Sequence, residues 1–281
     1  MSTRTYPEGV PAWVDVAHRD VGAASAFYGD LFGWTFTDAT PPGAPQRYVI
    51  AQLGGLDVAG IGGSVAVDGT ASRSAAWNTY VAVDDADAAA ARIEEAGGRL
   101  VERPAEGAGG WRWAECADPS GVPFRLWEAR GRPGAQAVNT PGGWNFSDLH
   151  TADPAAATRF YGEVFGWSVV DLGFASMIKR PGYGDHLEAT IDPGIRTRQA
   201  AVATPPGFAD AIGWLGPVDS GEEPHWHVTF TVADRDQAAA AAERLGGTVL
   251  ARADSDWTRD AVICDPQGGV FTASQFTPPS A

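Results

Sequence analysis

FYGDLFGW at Phe27–Trp34 returns as FYGEVFGW at Phe160–Trp167, 133 residues further along a chain of 281. A period that long is the mark of a duplicated domain, since solenoid repeats are several times shorter. The neighbouring landmarks repeat in the same order. Asp20 and Asp153 each stand seven residues before the Phe-Tyr pair, VAVDDADAAAARIEEAGGRL (81–100) is echoed by FTVADRDQAAAAAERLGGTVL (230–250), and ADPSG (117–121) by CDPQG (264–268). Between the copies, GRPGAQAVNTPGG (131–143) is too rich in Pro and Gly to continue a helix or a strand interior, so a flexible, solvated joint is expected there. With the boundary placed near Ala137, the two domains are residues 1–136 and 137–281, each of ordinary domain size.

Composition narrows the class of protein. With 44% hydrophobic residues and 11 Trp, each half can bury a real core, which argues against intrinsic disorder. A net charge of −15 repels phosphate backbones and anionic lipid headgroups, and no local basic patch offsets it, so neither nucleic acid nor a membrane surface is an expected partner. The segment MSTRTYPEGVP lacks the apolar core of a signal peptide and no run is long enough to span a bilayer, so the expected location is cytoplasmic. Cys116 and Cys264 precede the two Asp-Pro turns by different distances and lack metal-type spacing; they read as buried free thiols.

Periodicity then places the elements. WVDVAH (13–18) alternates as a strand does, Asp20 offers an N-cap, and Ala24, Phe27, Tyr28 and Leu31 recur at helical spacing until Gly33 ends the helix. Asp153 and Pro154 open the corresponding helix of the second half. A β-rich stretch follows, then NTYVAV, the cap Asp85, a helix over 86–95 closed by Gly97-Gly98, and two strands around an Asp-Pro turn. Each domain therefore reads as two β-α-β-β-β modules, four in the chain. The segment GFADAIGWLGPVDSGEEP (207–224) reads as a helical flap, PGYGDHLEA (181–189) with Asp185-His186 as a surface turn, and His18 as a residue packed toward the helix. Trp111, Trp113 and Trp257 read as residues of loops that can close over a cavity mouth.

Asp20 with Phe27-Tyr28 and Phe32-Gly33-Trp34, Val83 to Asp87 with Gly97-Gly98, Asp118-Pro119-Ser120-Gly121 and their second-half partners resemble the vicinal oxygen chelate superfamily, which includes glyoxalase I, extradiol dioxygenases and the fosfomycin and bleomycin resistance proteins. The resemblance covers nearly the whole chain. It implies an α+β fold of two tandem domains, each with paired β-α-β-β-β modules forming a curved mixed sheet around a cavity. It is specific for fold and weak for activity, because one scaffold carries many reactions.

In metal-using members the resemblance places ligands seven residues before the first Asp, seven before the second, and seven after the Asp of the Asp-Pro turn. Those positions hold Trp13, Asn78 and Arg125 in the first domain and Phe146, His227 and Thr272 in the second. Indole, guanidinium and phenyl groups offer a divalent cation no usable lone pair, so no metal is expected in the first domain. Strand alternation adds neighbours on the same face. The first cavity is expected to hold Trp13, Asp15, Asn78, Tyr80, Arg125 and Trp127, either as a ligand site or as a buried ion pair filling a closed barrel. The second is expected to hold Phe146, Asp148, His150, His227, Thr229, Thr231, Val270, Thr272 and Ser274, with His225 at the start of its strand. The ligand-binding candidates are thus Trp13, Asn78, Tyr80, Arg125, Trp127, Phe146 and Thr272, and the proton-handling candidates Asp15 and Asp148.

Two functions follow. The favoured one is binding of a small, partly aromatic organic molecule without the superfamily metal and with no cofactor. The other is a metal-dependent lyase, isomerase or dioxygenase working through His150 and His227, with a divalent metal in the second domain. Internal duplication can replace a dimer interface, which leaves monomer or homodimer as the expected state.

Overall fold

The structure is a computed structural model that describes residues 3–277 apart from 42, 64–74, 108–109, 174, 203 and 219–220. In the first domain, β1 (Pro11–His18), α1 (Val21–Phe32), β2 (Thr35–Asp38), β3 (Tyr48–Leu53) and β4 (Leu56–Gly63) form one module. The other is β5 (Trp77–Val83), α2 (Ala86–Glu95), β6 (Arg99–Glu106), β7 (Trp111–Ala117) and β8 (Pro123–Ala129). The strand order is β2-β3-β4-β1-β5-β8-β7-β6. Within each module the first strand pairs parallel with the last (β1 with β4, β5 with β8), and the modules join through antiparallel β1 and β5.

The second domain repeats this plan with β9 (Trp144–Thr151), α3 (Pro154–Phe165), β10 (Ser168–Asp171) and β11 (Ser176–Lys179). Two extra helices, α4 (Tyr183–Thr190) and α5 (Ile195–Ala201), come next. Then follow β12 (Ala211–Pro217), β13 (His225–Thr231), α6 (Arg235–Arg244), β14 (Thr248–Asp254), β15 (Thr258–Cys264) and β16 (Val270–Phe276). Its eight strands run in the equivalent order, β10-β11-β12-β9-β13-β16-β15-β14.

Local signals account for the helices. Asp20, Asp85, Asp153 and Asp234 each cap a helix by accepting a backbone N–H in its first turn, an interaction of about 1 kcal/mol. Gly33 and Gly166 take the left-handed conformation that ends α1 and α3.

The repeated landmarks turn out to be where the two domains grip each other. Phe27 packs against Gly247, and Phe160 against Gly98, so each Gly-Gly helix end leaves room for the other domain's phenyl ring. Tyr28 donates to Asp265 (2.6 Å) and Tyr161 to Asp118 (3.4 Å), each reaching the Asp-Pro turn of the other copy. Trp34 Nε1 donates to Gly142 O (2.7 Å) and Trp167 Nε1 to Gly9 O (2.5 Å), again reciprocally. His18 is buried, stacks on Tyr28 and lies 2.9 Å from Asp265 Oδ2. Its counterpart in the second half is Thr151. Burial alone would raise the Asp265 carboxyl, but the close His18 imidazole and the Tyr28 hydrogen bond outweigh it and hold that group below the usual range, whereas burial raises Asp118.

Four expectations need correction. The 207–224 segment is no helical flap: it contains β12, which the module requires as the parallel partner of β9, while the helical insertion lies earlier, in α4 and α5. Asp185 and His186 accordingly sit on α4, where Asp185 pairs with Arg196 and His186 Nε2 lies 3.1 Å from Thr5 O. The joint is not a flexible, solvated linker, because Ala135 and Ala137 are buried and residues 135–137 donate to Ala12 O and Asp57 O. Of the two thiols, Cys116 is buried, which pushes its pKa up to about 12, while Cys264 is only half-buried.

Candidate functional site

Alternation along β1, β5 and β8 brings all six first-domain candidates together on the inner face of their sheet. Asp15 lies opposite Asn78 in the β1–β5 pairing, and Tyr80 beside Arg125 between parallel β5 and β8. Asp15 is buried, and its oxygens are saturated. Oδ1 accepts from Asn78 Nδ2 (2.8 Å) and Arg125 Nη1 (3.2 Å), and Oδ2 from Tyr80 (2.5 Å) and Tyr48 (3.1 Å). A carboxylate has about four acceptor sites, and four donors use them. Arg125 is equally engaged: Nη1 also donates to Tyr80 (2.8 Å), and Nε and Nη2 donate to Glu115 at 3.1 and 2.8 Å. Burial works against its charge, but Tyr80, Asp15 and Glu115 outweigh that and keep the guanidinium protonated.

Aromatic rings finish the filling. Trp13 and Trp127 stack at 5.4 Å, and Trp127 and Trp111 at 4.7 Å. Trp13, at 0% exposure, donates its indole N–H to Tyr48 (3.1 Å), and Trp127 is 1% exposed. Gly60 makes the closure possible, because a β-carbon there would lie 2.0 Å from the Tyr48 hydroxyl oxygen. Four members of this cluster, Tyr48, Trp111, Trp113 and Glu115, escaped the sequence reading as inner-face residues. Trp111 and Trp113 belong to strand β7 instead of a mouth loop, and β7 alternation measured from the Trp113–Trp127 pairing would have found Trp111, Trp113 and Glu115.

The second inner face has the same backbone plan and a different occupancy. Phe146, Asp148, His150, His225, His227, Thr231, Thr272, Ser274, Trp214 and Asp260 are all half-buried, with Thr229 slightly more enclosed. The position matching Gly60, opposite Asp148, holds Trp214, whose backbone N–H donates to Asp148 Oδ1 (3.1 Å). The ring of Phe146 lies 6.5 Å from that of Trp214, and the ring of Phe208 lies 6.3 Å from the same indole. Trp257 lies in the bend just before β15 and stacks on Phe276 at 6.2 Å. Burial drives the Asp148 pKa up to about 7, opposed by the Trp214 N–H and reinforced by Asp260. His227 Nε2 lies 2.8 Å from Thr272 Oγ1; burial first, then His150 and His225, bring its pKa down to about 4, so it is neutral at physiological pH.

Two buried polar atoms on this face, Asp260 Oδ1 and Thr231 Oγ1, have no protein partner. Asp260 was missed by the sequence reading, although its pairing with Ser274 puts it on the inner side. His150 is cross-strand partner to His225, with ring centroids 4.8 Å apart, and its distance to His227 is 5.9 Å. Glu222 lies beside both His150 (3.9 Å) and His225 (3.6 Å).

The residues at the superfamily's ligand positions do not fit its metal. In the first domain they are an indole bonded to Tyr48, an amide and a guanidinium bonded to Asp15. In the second they are a phenyl ring, one imidazole and a hydroxyl bonded to that imidazole. One nitrogen ligand does not make the three-ligand set of a catalytic site.

Comparison with known proteins agrees with this architecture. Residues 11–126 match the family model described as Glyoxalase/Bleomycin resistance protein/Dioxygenase superfamily, and residues 146–274 match Glyoxalase-like domain. The chain is 34% identical to the Mycobacterium tuberculosis (strain CDC 1551 / Oshkosh) protein named "Putative glyoxylase CFP32", over 97% of each chain. It is 32% identical to the anthracycline biosynthesis protein DnrV of Streptomyces peucetius, over 98% of this chain and 95% of that one. Among solved structures, the 2,3-dioxygenase LapB from Pseudomonas sp. KL28 has a TM-score of 0.62 at 13% identity, covering 99% of this chain and 96% of that one. The Mn(II)-bound glyoxalase from Novosphingobium aromaticivorans has a TM-score of 0.60 at 15% identity, covering 100% and 85%. At such identities the structural likeness speaks for the fold alone. Tandem matches to the family models and full-length relatives above 30% identity lead to one statement: the chain belongs to the glyoxalase/bleomycin resistance protein/dioxygenase superfamily, as a two-domain member.

Proposed function

We propose that the protein binds a small, partly aromatic organic molecule on the inner face of its second domain, without a metal at the superfamily's ligand positions. The observation that carries this reading is the unspent polarity of that face. Asp260 Oδ1 and Thr231 Oγ1 are buried without partners on the face that also carries the half-buried Phe146 and Trp214, an arrangement that costs free energy unless something hydrogen-bonds there. Aromatic walls with a few oriented polar groups suit a flat ligand with oxygen substituents. Phe146 and Trp214 would supply stacking, and Thr272, Thr231 and Asp260 hydrogen bonds. Asp148 stands among them as the group able to take or give a proton to a bound molecule.

The first face has a different role in this reading. With the four acceptor sites of Asp15 taken and Trp13 and Trp127 in mutual contact, it acts as a packed core that stiffens the fold. Two relatives at 32% identity carry names that place them in anthracycline biosynthesis, which makes planar polycyclic aromatics a sensible first probe class. The test is a fluorescence and calorimetric titration with flat aromatic compounds, an anthracycline included. Saturable binding that Trp214→Ala and Asp260→Asn each weaken about tenfold, and that Trp127→Phe leaves alone, is the expected result. Binding that responds to Trp127→Phe and ignores both second-domain variants would move the site to the first domain and overturn the proposal.

A further inference from the structure

At one end of the second domain's inner face, His150, Glu222 and His225 bring two imidazoles and a carboxylate together, away from the superfamily's ligand positions. Their ligand atoms all lie within 4.8 Å of one another. The strand register makes this possible: His225 sits directly opposite His150 across the β13–β9 pairing, and Glu222 is three residues before His225, where the chain enters β13. The Nδ1 of His225 lies 2.9 Å from Glu223 O, so Nδ1 carries the proton and donates it to that carbonyl. In the neutral tautomer this leaves a lone pair on Nε2, which faces Glu222 Oε1 at 3.6 Å. That lone pair and the carboxylate oxygen point toward the same space, as two ligands of one cation do. A backbone carbonyl holding the far nitrogen of an imidazole is also the arrangement that orients histidine ligands toward a metal.

From these distances we infer that His150, Glu222 and His225 form a binding site for a divalent first-row transition cation of the Zn²⁺ type. Two nitrogens and one carboxylate oxygen suit that class and disfavour Ca²⁺ or Mg²⁺, which take oxygen-rich shells. Ligand atoms around a tetrahedral Zn²⁺ stand about 3.3–3.5 Å apart, so the widest spacing of 4.8 Å needs a contraction of roughly 1.5 Å at most. Rotation of the exposed Glu222 side chain and of the half-buried imidazoles can supply that contraction. The alternative occupant of the gap is a proton on His225, which would make the trio an ordinary His–Glu ion pair. This inference is independent of the organic ligand proposed above and uses a different readout.

The test is direct. Protein treated with EDTA and dialysed is titrated with Zn²⁺ by calorimetry and with Co²⁺ by visible absorption at pH 7.5, with His186→Ala as a surface-histidine control. The expected result is one equivalent of saturable binding, weakened about tenfold or more in both His225→Ala and Glu222→Gln and unchanged in His186→Ala. Thermal unfolding of each variant shows that it is folded, and Glu222→Gln, at an exposed position, retains the fold even if a histidine variant does not. Binding equally tight in Glu222→Gln and the control, or no saturable binding at all, would leave the ion pair as the correct reading. Loss confined to His227→Ala would place the cation at the inner position and equally overturn the inference.

Discussion

The two inner faces share a backbone plan and differ in whether their polar groups are already used. In the first domain Asp15 accepts from four side chains and is roofed by Tyr48, because Gly60 yields space. In the second, Asp148 accepts the Trp214 backbone N–H, and Asp260 and Thr231 keep buried atoms without protein partners. The two equivalent inner faces thus differ in filling: the first is packed by its own buried side chains, and the second carries half-buried ones. That difference shows which half to test first for ligand binding.

The largest effect expected to sharpen this contrast is that of Arg125→Ala. Removing the cation leaves Asp15 and Glu115 buried together, which should cost about 3–5 kcal/mol in denaturant unfolding while second-domain ligand affinity stays unchanged. An unfolding free energy within 1 kcal/mol of wild type would mean that the first face is not a sealed core.

The joint between the domains is asymmetric too, and pH reports it. Asp265, held low by His18 and Tyr28, contributes stability above its unfolded-state pKa that is lost as pH falls through its folded-state pKa. Asp118, raised by burial, has the opposite sign: its contribution is present at low pH and lost as pH rises through its folded-state pKa. Asp265→Asn should therefore cost about 2–3 kcal/mol at pH 7 and progressively less as pH falls below the ordinary aspartate range, and Asp118→Asn distinctly less at pH 7. Equal losses at pH 7 would remove the distinction between His18 and Thr151.

Gly60→Ala should cost about 1–3 kcal/mol, since the new methyl must displace Tyr48 from Asp15, and the thermal midpoint checks it. The smallest expected change is in Thr272→Val. Loss of its hydroxyl from His227 should lower stability by about 1 kcal/mol or less but weaken ligand binding measurably, and an unchanged ligand Kd would exclude Thr272 from the site.

Much of this was legible one residue at a time. Counting from Asp20, Asp85 and Asp118 put Trp13, Asp15, Asn78, Tyr80, Arg125 and Trp127 on one face, because helix caps and strand alternation are local rules. Tyr48, Glu115, Trp214 and Asp260 were missed for a common reason. They lie on β3, β7, β12 and β15, away from the aspartate landmarks, and register across a sheet is set by pairing with strands far along the chain. The helical insertion was misplaced because an apolar run such as Ala211–Leu215 suits a helix or a strand equally until a parallel partner, β9, decides.

The amino-acid sequence alone determined the duplication, the four β-α-β-β-β modules and the absence of a full chelating trio at the superfamily's positions, since each depends on residue identity at fixed spacing. Only the tertiary structure decided that the repeated Phe-Tyr, Gly-Gly and Asp-Pro landmarks clasp the opposite domain, that one cavity is filled by its own side chains, and that His150, Glu222 and His225 converge. Those facts depend on which distant segments share a few ångströms of space, and hydrogen-bond saturation, like packing, belongs to the assembled neighbourhood of a group and cannot be read from its place in the chain.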